Sequence, residues 1–386
     1  MRVFLRNIAR HQKRWFARWH LYLGLGAGVI VAIVGLTGSI LVFRDEIDQA
    51  LNPALLRVEP RGLKLSFDRV IPLIKAQRPA LKFQYLYDEQ GLPDTPYQLF
   101  ETKTRNQVYV DPYSGRILGE RNYESSLIGF TLRLHRTLLI PAAGRYLVGL
   151  SALTLLILTI SGLRLWIPRK WKQLRAGLTV NFKAGFKRQN YDWHNVLGLY
   201  SAPVVSLLSL TGFCITFSAA VIPVLFLLSF QSPKSLSNLL NPKSAWQKGA
   251  KPVPLSEVLA TGLQAVPGST VRGLFIPDTV TGAYRIDLSS PGKPKSGERD
   301  LVIVDQFTGK ILFNTRTELP NIGRAYLSWL TPVHYGTFGG RPTQVLALIG
   351  SFMPFVLCVT GFIIWYPRWK KSGRRRRPLP QPDLQP

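Results

Sequence analysis

Four of the chain's five histidines are the residues best suited to chemistry, because they recur in matched surroundings. Trp19-His20 is followed by Leu23-Gly24-Leu25 and Thr37-Gly38, and Trp193-His194 by Leu197-Gly198-Leu199 and Thr211-Gly212, at a constant offset of 174. Leu134-His135 leads to Ser161-Gly162, Trp166 and Pro168-Arg169, and Val333-His334 to Thr360-Gly361, Trp365 and Pro367-Arg368, at a constant offset of 199. A neutral imidazole nitrogen is a good donor to iron, and two imidazoles facing across a helical bundle supply both axial ligands of a haem. The fifth histidine, His11, has no matched partner, lies in a basic segment, and is expected at the surface. The only cysteines, Cys214 and Cys358, sit within apolar runs, so a disulfide framework and covalent haem attachment are both excluded.

The elements that must hold these histidines are four apolar runs long enough to cross a bilayer: Trp19–Phe43, Leu147–Trp166, Val196–Phe230 and Val345–Tyr366. The third is long for one span, and Pro203 and Pro223 are predicted to kink or end it, leaving its far end in the interface. The chain is 46% hydrophobic yet carries a net charge of +28, so the two characters must be segregated. Six cations and no acid precede the first run, and eight cations and no acid lie between Arg164 and Arg188. Seven cations and the single acid Asp383 follow the fourth run. The stretches Arg44–Arg136 and Gln231–Gly340 are near balance, with 14 basic against 12 acidic residues and 12 against 7. Positive flanks stay in the cytoplasm, which places both termini inside and both long loops outside. The basic charge thus sits where topology requires it, and a nucleic-acid partner is not expected. The first run is too long for a signal peptide, has no small-x-small cleavage site before Arg44-Asp45-Glu46, and reads as retained.

Topology then sorts the histidines by depth. His20 and His194 begin outward-running spans at the cytoplasmic end, whereas His135 and His334 precede inward-running spans at the opposite end. His20 to Gly38 is 18 residues, about 27 Å of helix at 1.5 Å per residue. Gly38 and Gly212 therefore reach the level of His135 and His334, and Gly162 and Gly361 the level of His20 and His194. Small residues there would leave room for a flat porphyrin, or would be ordinary helix-packing sites. Trp19, Trp193, Trp166 and Trp365 would line the cytoplasmic-side site or join the interfacial aromatic belt. Arg133, Arg136, Arg145 and Arg341 cluster near the outer histidines and could pair haem propionates or an anionic substrate, or snorkel to the interface.

The outer loops also repeat. Val108-Tyr-Val-Asp111-Pro-Tyr-Ser-Gly115-Arg-Ile-Leu118 matches Val302-Ile-Val-Asp305-Gln-Phe-Thr-Gly309-Lys-Ile-Leu312, a strand, a glycine turn and a second strand. A short helix (about Phe67–Gln77 and Leu255–Ala265) and two strands precede each copy. The expected fold class is a membrane α-helical protein: a four-helix bundle built from a tandem repeat, with two small α+β extracytoplasmic domains. Its parts are a cytoplasmic tail and first span over 1–43, the first outer domain over 44–124, and an interfacial helix with the second span over 125–167. A basic cytoplasmic loop over 168–190 and the third span over 191–230 come next. The second outer domain over 231–325, the fourth span with its histidine loop over 326–367 and a basic Pro-rich tail over 368–386 complete the order.

Trp-His-x-x-Leu-Gly-Leu at Trp19, Leu-His-Arg-x-Leu-Leu at Leu134 and Gly-Leu-x-Leu-Trp-x-Pro-Arg at Gly162 resemble the PepSY-associated transmembrane helix family. The outer Val-Asp-x-x-Ser/Thr-Gly-Lys/Arg-Ile-Leu segments resemble PepSY domains. The resemblance covers nearly the whole chain. It implies a bacterial inner-membrane protein holding two b-type haems on His20, His135, His194 and His334. It further implies a ferric-siderophore reductase that passes electrons across the membrane and releases ferrous iron in the periplasm. The chain has no Gly-x-Gly-x-x-Gly after a strand, so its electron donor is expected to be another cytoplasmic protein, a quinol or a diffusible reductant. No acid, base or nucleophile constellation stands out. The rival readings are a non-enzymatic regulator or sensor binding a periplasmic protein, and a transporter of iron or siderophore. The scarcity of polar residues at mid-span counts against the transporter.

Overall fold

The computed structural model describes residues 2–104, 106–168, 173–232, 236–289 and 299–375. In chain order these form α1 (Arg2–Leu41), α2 (Arg44–Leu51), α3 (Phe67–Gln77) and the strands β1 (Phe83–Tyr87), β2 (Tyr97–Glu101), β3 (Gln107–Val110) and β4 (Ile117–Arg121). Helices α4 (Leu127–Thr137), α5 (Gly144–Trp166), α6 (Phe186–Thr216), α7 (Ser218–Leu228) and α8 (Leu255–Ala265) follow. The chain continues with β5 (Val271–Phe275), β6 (Ala283–Ser289), β7 (Arg299–Asp305), β8 (Ile311–Asn314), α9 (Asn321–Tyr335) and α10 (Arg341–Arg375), with short helical turns between. Most of the basic Pro-rich tail, residues 376–386, lies outside the described residues, as do residues 169–172 of the basic loop.

The chain divides into two compact units. The first, the spanning unit, comprises residues 1–40, 134–213 and 345–386. Four helices are long and apolar enough to cross a membrane: His11–Leu41, Gly144–Trp166, Phe186–Thr216 and Arg341–Pro367. Close helix contacts occur where glycine replaces a side chain. At Gly35 of α1, the Ser351 carbonyl oxygen of α10 lies 2.6 Å from where a Cβ would stand. At Gly350 of α10, the nearest atom of Val204 on α6 lies 2.4 Å from that position. Small residues let backbones approach in this way, and dispersion and interhelical hydrogen bonds then hold the helices together.

The second unit comprises residues 41–133 and 214–344. Helix then four-strand meander occurs in it twice, and antiparallel pairing of β1 with β5 joins the meanders. The sequence reading separates two outer domains; their strands form one eight-stranded sheet, β4-β3-β2-β1-β5-β6-β7-β8. Strand alternation sends Leu86, Leu99, Val108, Val110, Leu274, Ile286, Val302 and Val304 to one face. There they meet Val70 and Ile74 of α3 and Val258 and Leu259 of α8 in a single core. Each meander ends in the expected turn, with Gly115 at φ +73° and Gly309 at φ +66°. That left-handed conformation is cheap only for glycine.

The third apolar run differs from expectation. Pro203 lies inside α6 and Pro223 inside α7, and neither ends a helix. The break falls at Phe217 (φ −104°, ψ 25°), directly before α7, as its counterpart Phe43 (φ −112°, ψ 31°) lies directly before α2. The carbonyl oxygens freed at the break find other donors. Cys214 O accepts from the Ser218 hydroxyl at 2.8 Å and from the Tyr326 hydroxyl at 2.8 Å. An apolar solvent offers no alternative partner, so such side-chain donors decide where a helix can end.

Candidate functional site

In the spanning unit, α1 and α6 bring His20 and His194 face to face, with ring centroids 6.4 Å apart and planes at 90°. A metal–imidazole bond of about 2.0 Å, plus about 1.1 Å from nitrogen to ring centre, gives a span of about 6.2 Å for two rings on one ion. The separation therefore fits one metal shared by both rings.

The ring tautomers follow from the hydrogen bonds. The Ser161 hydroxyl donates to Leu158 O at 3.0 Å, so its oxygen accepts from His20 Nδ1–H at 2.9 Å. The Thr360 hydroxyl donates to Val356 O at 2.9 Å, so its oxygen accepts from His194 Nδ1–H, also at 2.9 Å. His135 Nδ1–H donates to Val34 O at 2.9 Å and approaches Thr37 Oγ1 at 3.2 Å, whose own hydroxyl donates to Ile33 O. A carbonyl can only accept, so Nδ1 of His135 carries the proton. His20 and His194, with Nδ1 engaged, present Nε2 as the nitrogen that can donate to a ligand. An acceptor on the second ring nitrogen is the usual means of orienting a metal-ligating histidine. Burial, opposed in part by the bond to Val34 O, lowers the His135 pKa to about 4, so that imidazole is neutral at physiological pH.

Three of the four glycines stand beside a histidine ring. A Cβ at Gly162 would lie 3.2 Å from His20 Cε1, at Gly361 3.3 Å from His194 Cε1, and at Gly38 3.1 Å from His135 Cε1. These glycines make room for the imidazole edge. Gly212 follows Thr211 on α6, and Thr211 donates to Leu207 O and Leu208 O as Thr37 donates to Ile33 O and Val34 O. His334 lies in the last turn of α9, its ring 6.1 Å from that of Tyr335.

The structure assigns other partners to several of the expected side chains. Arg341 pairs with Glu46 and lies over the Phe43 ring at 5.6 Å. Arg133 reaches Glu124 at 3.4 Å. Arg136 follows His135 on α4, and Arg145 opens α5. Trp166 donates from Nε1 to Gly177 O at 2.9 Å, away from the histidines, while Trp19 is 47% exposed. Sequence reasoning missed the hydroxyls of Thr37, Ser161 and Thr360 as orienting groups. It also missed Asn190, one turn before His194, whose amide donates to Thr360 O at 3.0 Å. The signal was present as Ser/Thr directly before each glycine.

Among the described residues no cluster of three or more His, Cys, Asp or Glu could hold a metal ion. The separation of the His20 and His194 rings is compatible with a metal-bearing group held between them.

Four apolar spans and part-buried, hydroxyl-oriented histidines define a polytopic helical membrane protein. The chain belongs to the PepSY-associated TM region family, whose family model matches residues 17–368. No curated protein matches the chain closely enough to count as a relative.

Proposed function

We propose that this protein carries electrons across a bacterial inner membrane through two b-type haems and reduces ferric siderophore on the outer side. The observation that carries the proposal is the 6.4 Å separation of the His20 and His194 rings. Both Nδ1 atoms there are engaged by hydroxyls and both Nε2 atoms are left as donors. A haem held by both His20 and His194 would supply one-electron transfer rather than oxygen binding.

The chain's own residues do the rest. His20 and His194 hold the cytoplasmic-side group, and Ser161 and Thr360 fix their rings. Apolar helices keep water from the site. The second group is assigned to His135 and His334 on the repeat in the sequence. Both termini are cytoplasmic by the distribution of Lys and Arg. The paired meanders are two PepSY-like domains of a tandem repeat, facing the periplasm. Ferric iron in the siderophore gains one electron, and the ferrous product binds hard oxygen donors more weakly and is released. The electron enters from a cytoplasmic protein, a quinol or a diffusible reductant. No proton-transfer residue is required.

Purified protein in detergent should show two haems per chain with the sharp reduced bands of b-type haem. Dithionite-reduced protein should reoxidise on addition of ferric siderophore. His20→Ala and His194→Ala should each deplete the same haem, leaving one per chain. Depletion of a common haem by His20→Ala and His135→Ala would refute the pairing, and a colourless sample after haem-sufficient expression would favour the regulator.

A further inference from the structure

The sheet unit has a second face, and its two halves treat that face differently. In the first half it is a polar cavity of about 210 Å³ lined by Arg44, Asp45, Asp48, Glu89, Gln107 and Arg121, with Tyr87 and Tyr123 beside them. Arg121 donates to Asp48 through both terminal nitrogens and to the Tyr109 hydroxyl through Nε. Arg44 lies between Asp45 at 3.3 Å and Glu89 at 3.0 Å.

In the second half the corresponding residues are mostly apolar. Asp48 corresponds to Ile222 at the offset of 174. Gln107, Tyr109 and Arg121 correspond to Leu301, Ile303 and Thr315 at the offset of 194 that relates Val108 to Val302. Ile222, Leu301 and Ile303 pack with Phe226, Phe313 and Leu319 in a closed apolar cluster. The fold therefore covers this place largely with apolar side chains, with Thr315 bonded to Asp300 beside them. Buried ion pairs are often no better for stability than apolar residues of like volume, so stability does not explain the charges in the first half.

The ligand class follows from charge and size. Two guanidinium groups and three carboxylates line the cavity. A ligand of one sign would leave the other sign facing it, whereas a ligand bearing both signs can pair with each. About 210 Å³ holds roughly seven waters at about 30 Å³ each, the size of an amino acid. We infer that this cavity binds a small zwitterion, with its ammonium toward Asp45 and Glu89 and its carboxylate toward Arg44 and Arg121. The inference rests on the tandem-repeat reading above and not on the haems.

The test uses the full chain in detergent, scanned by thermal unfolding with each of the twenty common amino acids at millimolar concentration. At least one should raise Tm by about 2 °C or more, and its N-acetyl and methyl-ester forms should bind at least tenfold more weakly by calorimetry. The variant Asp48→Ile/Gln107→Leu/Tyr109→Ile/Arg121→Thr installs the second half's own residues, removes the ion pair whole and leaves no Tyr109 hydroxyl without its partners. It should fold with an unchanged or higher Tm and lose the ligand response. No response to any amino acid overturns the inference, as does a capped form that binds equally well. A steep fall in the quadruple variant's Tm would also overturn it, by showing the polar lining to be structural. The haem spectrum of the same samples reports on the proposed function separately.

Discussion

The spanning unit keeps its two halves alike, and the sheet unit lets them diverge. Thr37 and Thr211, 174 residues apart, each return a hydroxyl to carbonyls one turn back. Ser161 and Thr360, 199 apart, each accept from a histidine Nδ1–H at 2.9 Å, beside glycines with nearly equal clearances of 3.2 and 3.3 Å. In the sheet unit, α2 and α7 start 174 residues apart after the same backbone break, at Phe43 and Phe217. Yet α2 reads Arg-Asp-Glu-Ile-Asp-Gln-Ala-Leu, and α7 has no charged residue. Under the haem reading, one group shared by two histidines needs both held alike, which restrains change on either side. A sheet face needs only to be covered, and either core or cavity will do.

The comparison breaks most visibly at the glycines. Gly162→Val and Gly361→Val each force a branched side chain against an imidazole edge. Under the haem reading both should reduce haem per chain from two toward one, to the same extent, by pyridine haemochrome assay. Gly24→Ala and Gly26→Ala should leave the content unchanged, since a Cβ there has its nearest neighbour at 4.0 Å or none within 4 Å. Unequal losses at 162 and 361 would show that the two sides are not equivalent.

A smaller effect is expected from the hydroxyls. Ser161→Ala and Thr360→Val remove the acceptor of an Nδ1–H and leave the ligand in place. Loss of such an outer partner commonly costs about 10- to 100-fold in metal affinity, and haem retention should fall by about tenfold in each variant. The midpoint potential should rise, because a less basic imidazole stabilises the ferric state less. A change in one variant only would again break the symmetry.

Much of this was legible in the chain because periodicity and punctuation are local. The helices Phe67–Gln77 and Leu255–Ala265 and the turns at Gly115 and Gly309 fall where pattern and glycine place them. Pairs of glycine and histidine at one depth were legible because α-helix rise is constant. What each glycine touches was not, since one level admits several neighbours, and Gly162 proved to face the His20 ring. The helix break at Phe217 was hidden because Tyr326, more than a hundred residues away, supplies a donor to Cys214 O. The joining of two meanders was hidden too, because β1–β5 pairing depends on an edge with no signature of its own. The charged cavity escaped notice because Asp48, Glu89 and Arg121 come together only in the fold.

The smallest expected effect concerns the two hairpin aspartates, where the halves of the sheet unit again part. Asp111 accepts from Tyr113 N–H at 2.9 Å and the Ser114 hydroxyl at 2.8 Å, both within its own turn. Asp305 accepts from Phe307 and Thr308 N–H at 2.8 and 2.9 Å and also from Ala245 N–H at 2.6 Å, which ties in a distant segment. Burial pushes the Asp305 pKa up, but these backbone donors outweigh it and hold the carboxyl below its ordinary 3.8. A depressed folded pKa gives stability that is present above the unfolded value and lost as pH falls through the folded one. Asp305→Asn turns one acceptor into a donor facing Ala245 N–H and should cost about 1–3 kcal/mol at pH 7. Asp111→Asn keeps an acceptor for its local bonds and should cost less, about 1 kcal/mol or below. In denaturant melts the Asp305 difference should hold from pH 7 down to about 4 and shrink below that. An equal cost at both positions, or a difference at 305 that does not begin to shrink as pH falls below about 4, would show that the third donor carries no weight.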